Sequence, residues 1–139
     1  MSSEDELEII RRKKMLELMK RGVVDRRKTV MPSGVVQLTE ANFDEYLGKY
    51  PLVIVDFWAE WCMPCKVYAP LFEELARRYS GRAVFAKVNV DENPSIARRY
   101  SIMSIPTTIV FYKGREYERL IGLSPMNMMR LRNIIENLS

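Results

Sequence analysis

The run Leu52-Val53-Ile54-Val55-Asp56-Phe57-Trp58 leads through Ala59-Glu60-Trp61 into Cys62-Met63-Pro64-Cys65. An apolar run with a single charge, Asp56, predicts a central strand buried on both faces. Beyond it, Tyr68, Leu71, Phe72, Leu75, Ala76 and Tyr79 recur at helical spacing as far as Ser80-Gly81, which predicts a helix over Cys65–Tyr79. The two cysteines therefore stand where a buried strand ends and a helix begins. At that point unpaired backbone N–H groups and the positive end of the helix dipole stabilise an anion. A sulfur placed there ionises more readily and becomes a nucleophile near neutral pH. Two intervening residues let the second sulfur reach the first. Pro64 suits a first helical turn, where no N–H is needed.

Working outward, Val35–Leu38 predicts a short strand, and Thr39 caps a helix over about Ala41–Lys49. Val84, Ala86, Val88 and Val90 alternate with Phe85, Lys87 and Asn89, the pattern of a second inner strand. Pro94–Tyr100 reads as a short helical crossover. Thr107–Tyr112 and Glu116–Ile121 flank Lys113-Gly114 as the arms of a hairpin. Ser124-Pro125 opens a last helix, whose apolar face is Met128, Leu131, Ile134, Ile135 and Leu138. The order β-α-β-α-β-α-β-β-α predicts an α/β fold. Strands that alternate with helices pair in parallel, and the closing hairpin adds an antiparallel edge, so the central sheet is mixed and flanked by helices.

The chain has 139 residues, 47% hydrophobic and 29% charged, the balance of a globular protein and not of a disordered one. It has no histidine, which removes His-based triads, His–Cys nucleophile pairs and histidine metal sites. Two cysteines exclude a disulfide scaffold and a four-cysteine zinc site within one chain, so no metal is expected. Two plainer uses of the pair compete with redox chemistry. As a staple, a Cys62–Cys65 bridge closes so short a loop that it stabilises far less than the roughly 3 kcal/mol of a loop of about 15 residues. As half of a zinc site shared between chains, the pair lacks further ligands nearby. The strand–CxxC–helix setting favours the redox reading. No stretch approaches the ~18 consecutive apolar residues of a membrane span. The N-terminus runs from acidic to basic, the reverse of a signal peptide, so a cytoplasmic location is expected, where thiols are kept reduced.

Charge is concentrated ahead of the strand–helix pattern. Residues 1–35 carry 9 basic and 6 acidic side chains. Ser3 with Glu6 has capping-box spacing, and Leu7, Ile10, Met15, Leu18 and Met19 give a broad apolar stripe, so a helix is expected over Glu4–Arg21, ending at Gly22. Met31-Pro32-Ser33-Gly34 reads as a joint. The expected organisation is an extension over 1–34 and a domain over 35–139. The extension can be a solvated helix, a phosphate or nucleic-acid patch, a membrane-surface helix or a docking helix for a partner protein. No aromatic residue precedes Phe43, which speaks against nucleic acid and against an interfacial membrane anchor.

The segment Val55 to Lys66 resembles the active-site segment of the thioredoxin family. The resemblance continues through Ala69-Pro70, Ala86-Lys87-Val88-Asn89-Val90-Asp91, Tyr100-Ser101-Ile102-Met103-Ser104-Ile105-Pro106-Thr107, Phe111-Tyr112-Lys113-Gly114 and Gly122. It covers residues 36–139 in the family's order and implies the thioredoxin-like three-layer fold, here with an extra N-terminal helix. It implies Cys62 as attacking nucleophile, Cys65 as resolving thiol, and Trp61 and Pro64 beside the substrate. Ile105-Pro106 becomes a cis-proline loop whose free backbone groups pair with an extended substrate strand. Pro70 kinks the active-site helix, and Gly122 permits close backbone approach.

Asp56 is read from the residues themselves as buried, with desolvation raising its pKa, so that it can serve Cys65 as a general acid or base. The plainer reading turns it to solvent at a strand end. Lys87, the lone charge of its strand, is either the partner of Asp56 or a lysine snorkelling to the sheet edge. The family usually has glycine where Met63 stands. Met63 and Met103 are expected either to form an apolar docking patch or to be incidental surface residues.

The function expected is thiol–disulfide oxidoreductase reducing protein disulfides, with no cofactor beyond a redox-active Cys62–Cys65 disulfide. The resemblance implies protein disulfide substrates and a recycling reductase of the thioredoxin-reductase type, a flavoenzyme. Two alternatives stand beside it. One is a disulfide oxidase or isomerase, whose members usually carry histidine between the cysteines. The other is a thioredoxin-fold binding module whose extension docks a partner.

Overall fold

The computed structural model describes residues 31–139. The helix expected over Glu4–Arg21 lies outside the described residues. Nine elements follow: β1 Val35–Gln37, α1 Phe43–Lys49, β2 Leu52–Trp58, α2 Met63–Arg78, β3 Val84–Asn89, α3 Pro94–Arg99, β4 Thr107–Tyr112, β5 Arg115–Ile121 and α4 Pro125–Leu138. The sheet order is β1-β3-β2-β4-β5. β3 lies parallel to both β1 and β2, while β4 runs antiparallel to β2 and β5. The β-α-β segments and the closing hairpin thus produce the mixed sheet their spacing predicted.

Strand periodicity sorts the core into two layers. Val53, Val55 and Phe57 of β2 join Val84, Ala86 and Val88 of β3 in one apolar cluster with Phe43, Leu47 and Ile96. Leu52 and Ile54 point the other way and pack with Phe72, Leu75, Leu131 and Ile135 of α2 and α4. Helices therefore cover both faces, α1 and α3 on one and α2 and α4 on the other. Each fully buried Phe or Ile contributes roughly 1.5–3 kcal/mol relative to exposure. By the same alternation Asp56, Trp58 and Lys87 share the face that α2 covers.

Local differences have local causes. α2 begins at Met63, two residues before its first core-facing residue, because Cys62 occupies the N-cap position. α1 begins at Phe43, and Thr39 does not cap it. The Asn42 side chain instead accepts from the Thr39 N–H at 2.7 Å, and the Thr39 hydroxyl accepts from the Ala41 N–H at 3.2 Å, which closes a turn ahead of the helix. The β4–β5 connection is Lys113-Gly114, both at positive φ (52° and 81°), the two-residue turn whose twist suits a hairpin. The Ser124 side chain caps α4 by accepting from the Asn127 N–H at 3.1 Å.

Candidate active site

The end of β2 delivers Cys62 to the head of α2, where it takes extended backbone angles (φ −91°, ψ 108°) and its sulfur accepts from the Cys65 N–H at 3.2 Å. That bond meets one of the unpaired N–H groups of the helix start, the same groups that stabilise negative charge on the sulfur after reduction. Cys62 and Cys65 form a disulfide with Cα atoms 5.3 Å apart, and both residues are buried. Pro64 lies in the first turn of the helix, and Pro70 lies inside it.

Facing Cys62 is the loop ahead of β4. The Ile105–Pro106 peptide is cis, and the Ile105 carbonyl oxygen lies 3.8 Å from the Cys62 sulfur. Two bonds hold this loop: the Thr107 hydroxyl donates to the Ser104 carbonyl at 2.7 Å, and the Gly122 N–H donates to the Pro106 carbonyl at 2.8 Å. A Cβ at Gly122 would meet nothing within 4 Å, so close approach is not what glycine supplies there. Its φ of 81° is the reason, a conformation glycine adopts without steric cost.

Between this loop and Trp61, the residue before Cys62, is an open cleft of about 320 Å³ lined by Trp61, Val90, Ile102, Met103, Ser104 and Ile105. Trp61 is 69% exposed, yet its ring is fixed, because its Nε1 donates to an Asp91 carboxylate oxygen at 2.8 Å. Met63 is exposed on the first residue of α2 and is not among the cleft-lining residues.

On the face of β2 that α2 covers, Asp56 is 3% exposed and its Oδ1 has no hydrogen-bond partner. Burial raises its pKa from 3.8 to about 7, and the Lys87 charge offsets part of that rise. Lys87 stands opposite Asp56 across the β2–β3 pairing, half-buried, with its ammonium 4.7 Å from the centre of the Trp58 ring. No ion pair joins it to Asp56 among the described residues. On the other side Thr108 pairs with Asp56 across β2–β4, and its hydroxyl bonds the Tyr68 hydroxyl of α2 at 2.9 Å. Burial pushes the Tyr68 phenol well above its usual range, and the Asp56 charge adds to the shift.

Asp91, Tyr68 and Thr108 are the partners that sequence reasoning did not single out. The available signal for Asp91 was the parallel β2–β3 pairing: two strands ending together bring the residues just past them, Trp61 and Asp91, to one edge. No group of His, Cys, Asp or Glu side chains suited to a metal ion occurs among the described residues.

The family model for thioredoxin matches residues 34–136. The chain belongs to the thioredoxin family. It is 48% identical over 91 residues to the thioredoxins of Staphylococcus haemolyticus and Staphylococcus aureus, covering 66% of this chain and 86% of each relative. Among solved structures, a Plasmodium falciparum thioredoxin matches with a TM-score of 0.67 and 38% identity, over 75% of this chain and 99% of that one. A mutant thioredoxin from Halobacterium salinarum matches with a TM-score of 0.70 and 31% identity, over 79% of this chain and 95% of that one. The chain is accordingly a thiol–disulfide oxidoreductase of the protein-disulfide-reductase type, with Cys62–Cys65 as its redox-active pair. No helix among the described residues is long and apolar enough to cross a membrane.

Proposed function

We propose that the protein reduces protein disulfides in the cytoplasm by a two-step exchange in which Cys62 attacks and Cys65 resolves. The observation that carries this assignment is the position of Cys62 at the head of α2, beside the carbonyl of Ile105, a residue that lines the open cleft. With the pair reduced, the Cys62 thiolate attacks one sulfur of a substrate disulfide. A new S–S bond forms, the substrate S–S bond breaks, and one substrate thiolate leaves. The Asp56 carboxylate takes the proton from the Cys65 thiol, for which a pKa near 7 is suited. Cys65 then attacks the Cys62 sulfur, the mixed disulfide breaks, and the second substrate thiolate leaves. The substrate gains two electrons and the Cys62–Cys65 disulfide is restored. A flavin-dependent reductase returns those electrons, as the family membership implies.

Lys87 tunes Asp56 through its charge, and the Trp61 wall, Pro64, Pro106 and the Gly122-braced loop receive the substrate segment, which lies extended along the Ile105 backbone. Residues 1–34 act as a docking extension for a partner protein. The test is trapping. Cys65→Ser accumulates mixed disulfides with protein substrates and Cys62→Ser does not, while limited alkylation of the reduced protein labels Cys62 first. Preferential labelling of Cys65, or trapping through Cys65, reverses the assignment. A measured reduction potential in the oxidising range would reassign the enzyme as an oxidase.

A further inference from the structure

We propose that Met103 is a peroxide-sensitive modification site, and that its conversion to the sulfoxide closes the cleft to protein disulfides while leaving the dithiol chemistry intact. The inference rests on the reading of this cleft as the surface that receives protein substrates.

Met103 is 92% exposed, the most open of the exposed large apolar side chains among the described residues. Its thioether therefore meets dissolved oxidant without any unfolding. The side chain lines the cleft together with Trp61 and Ile105, and the neighbouring backbone is held by the Thr107–Ser104 and Gly122–Pro106 bonds. An adduct at this position consequently stays at the mouth of the site. Met63 is 67% exposed but lies outside the cleft lining. Met126 at 77% and Met129 at 57% sit on α4, also outside that lining, and serve as internal controls.

Hydrogen peroxide supplies the oxygen. The thioether sulfur attacks one peroxide oxygen, the O–O bond breaks, the sulfur is oxidised by two electrons, and the second oxygen leaves as water carrying both protons. In the oxidised enzyme the cysteine sulfurs are already bonded to each other, so the exposed thioethers are the groups left to react. The product replaces a flexible apolar tip with a polar, chiral one. A substrate segment that covers Met103 must then desolvate the sulfoxide oxygen, and the donor side chains lining the cleft are the Ser104 hydroxyl and the Trp61 Nε1, the latter already engaged by Asp91.

The experiment treats the full-length disulfide form with hydrogen peroxide, removes the oxidant, and locates sulfoxides by peptide mass spectrometry. Reduction of insulin and of a small aromatic disulfide is then followed with dithiothreitol as electron source, each variant being compared with its own untreated sample. Treated parent protein should lose about five- to tenfold in kcat/KM for insulin, mainly through KM, a loss on the scale of one desolvated polar group. Turnover of the small disulfide should not change. Met103→Leu should show no loss on treatment, whereas the Met126→Leu/Met129→Leu double variant should lose as much as the parent. The proposal is overturned if Met103→Leu loses activity on treatment as the parent does, if Met63→Leu is the protected variant, or if small-disulfide turnover falls in parallel. If the untreated protein reduces neither disulfide, the oxidoreductase reading itself fails.

Discussion

Replacing Asp56 with asparagine should make the protein more stable at neutral pH and slower as an enzyme. The carboxyl is 3% exposed and burial raises its pKa from 3.8 to about 7. At about 1.36 kcal/mol for each pH unit, the ionised carboxylate costs the fold about 4 kcal/mol once the pH is above 7. The folded state holds this proton more tightly than the unfolded chain does. Stability is therefore lost as pH climbs from about 4 towards 7, and the penalty is nearly absent below 4. Asparagine removes the charge but leaves a buried amide short of partners, a cost of about 1–2 kcal/mol. The variant should thus gain about 2–3 kcal/mol at pH 8, match the parent near pH 5, and be weaker by about 0.5–1.5 kcal/mol at pH 4. Urea unfolding of the oxidised proteins reads this directly: with a slope of about 1–3 kcal/mol/M, the midpoint at pH 8 should rise by about 1–2 M. Turnover should fall because no carboxylate remains to take the Cys65 proton. A parent whose stability is flat between pH 4 and 8, or an Asp56→Asn variant that is no more stable at pH 8 than at pH 4 relative to the parent, would show that Asp56 is not a desolvated acid.

Removing the hydroxyl that caps α4, by Ser124→Ala, should cost about 1 kcal/mol in urea unfolding without changing turnover, since its partner is the Asn127 N–H and not a group of the cleft. An unchanged midpoint would mean that the cap contributes nothing. Deleting residues 1–30 should leave reduction of a small disulfide unchanged, because Met31 packs against the core and both β1 and the family match lie beyond it. Binding to a natural partner should weaken and lose salt dependence, which co-precipitation at two ionic strengths measures. A truncated chain that fails to fold would place those residues in the core.

Periodicity made the element order readable, because β2 is apolar on both faces and α2 on one. It also put Asp56 inside, since a lone charge between Val55 and Phe57 has no route to solvent in a central strand. Boundaries were less legible where a side chain outside the apolar pattern sets them. Cys62 starts α2 as its cap, and the Asn42–Thr39 bond delays α1. Contacts between distant segments left almost no sequence trace. The Trp61–Asp91 bond spans 30 positions and the Tyr68–Thr108 bond spans 40. Met63 and Met103 look alike in sequence, but only the second lies along the cleft, a difference set by tertiary placement.

The proposed docking of extended partners along the Ile105 loop requires that no other backbone edge compete for them. The sheet has two outer strands, and each is guarded. β1 has 3 residues, too few to template a foreign strand. β5 is longer but carries Arg115, Glu116, Glu118 and Arg119, with Arg119 paired to Glu116 at 2.8 Å and Arg130 of α4 paired to Glu118 at 2.7 Å. Such charge makes edge-to-edge association costly. A loosely held substrate strand, or a second copy of the chain, is thereby denied the rival edge. Neutralising Glu116 and Glu118 would open a route to self-association that leaves the redox site untouched.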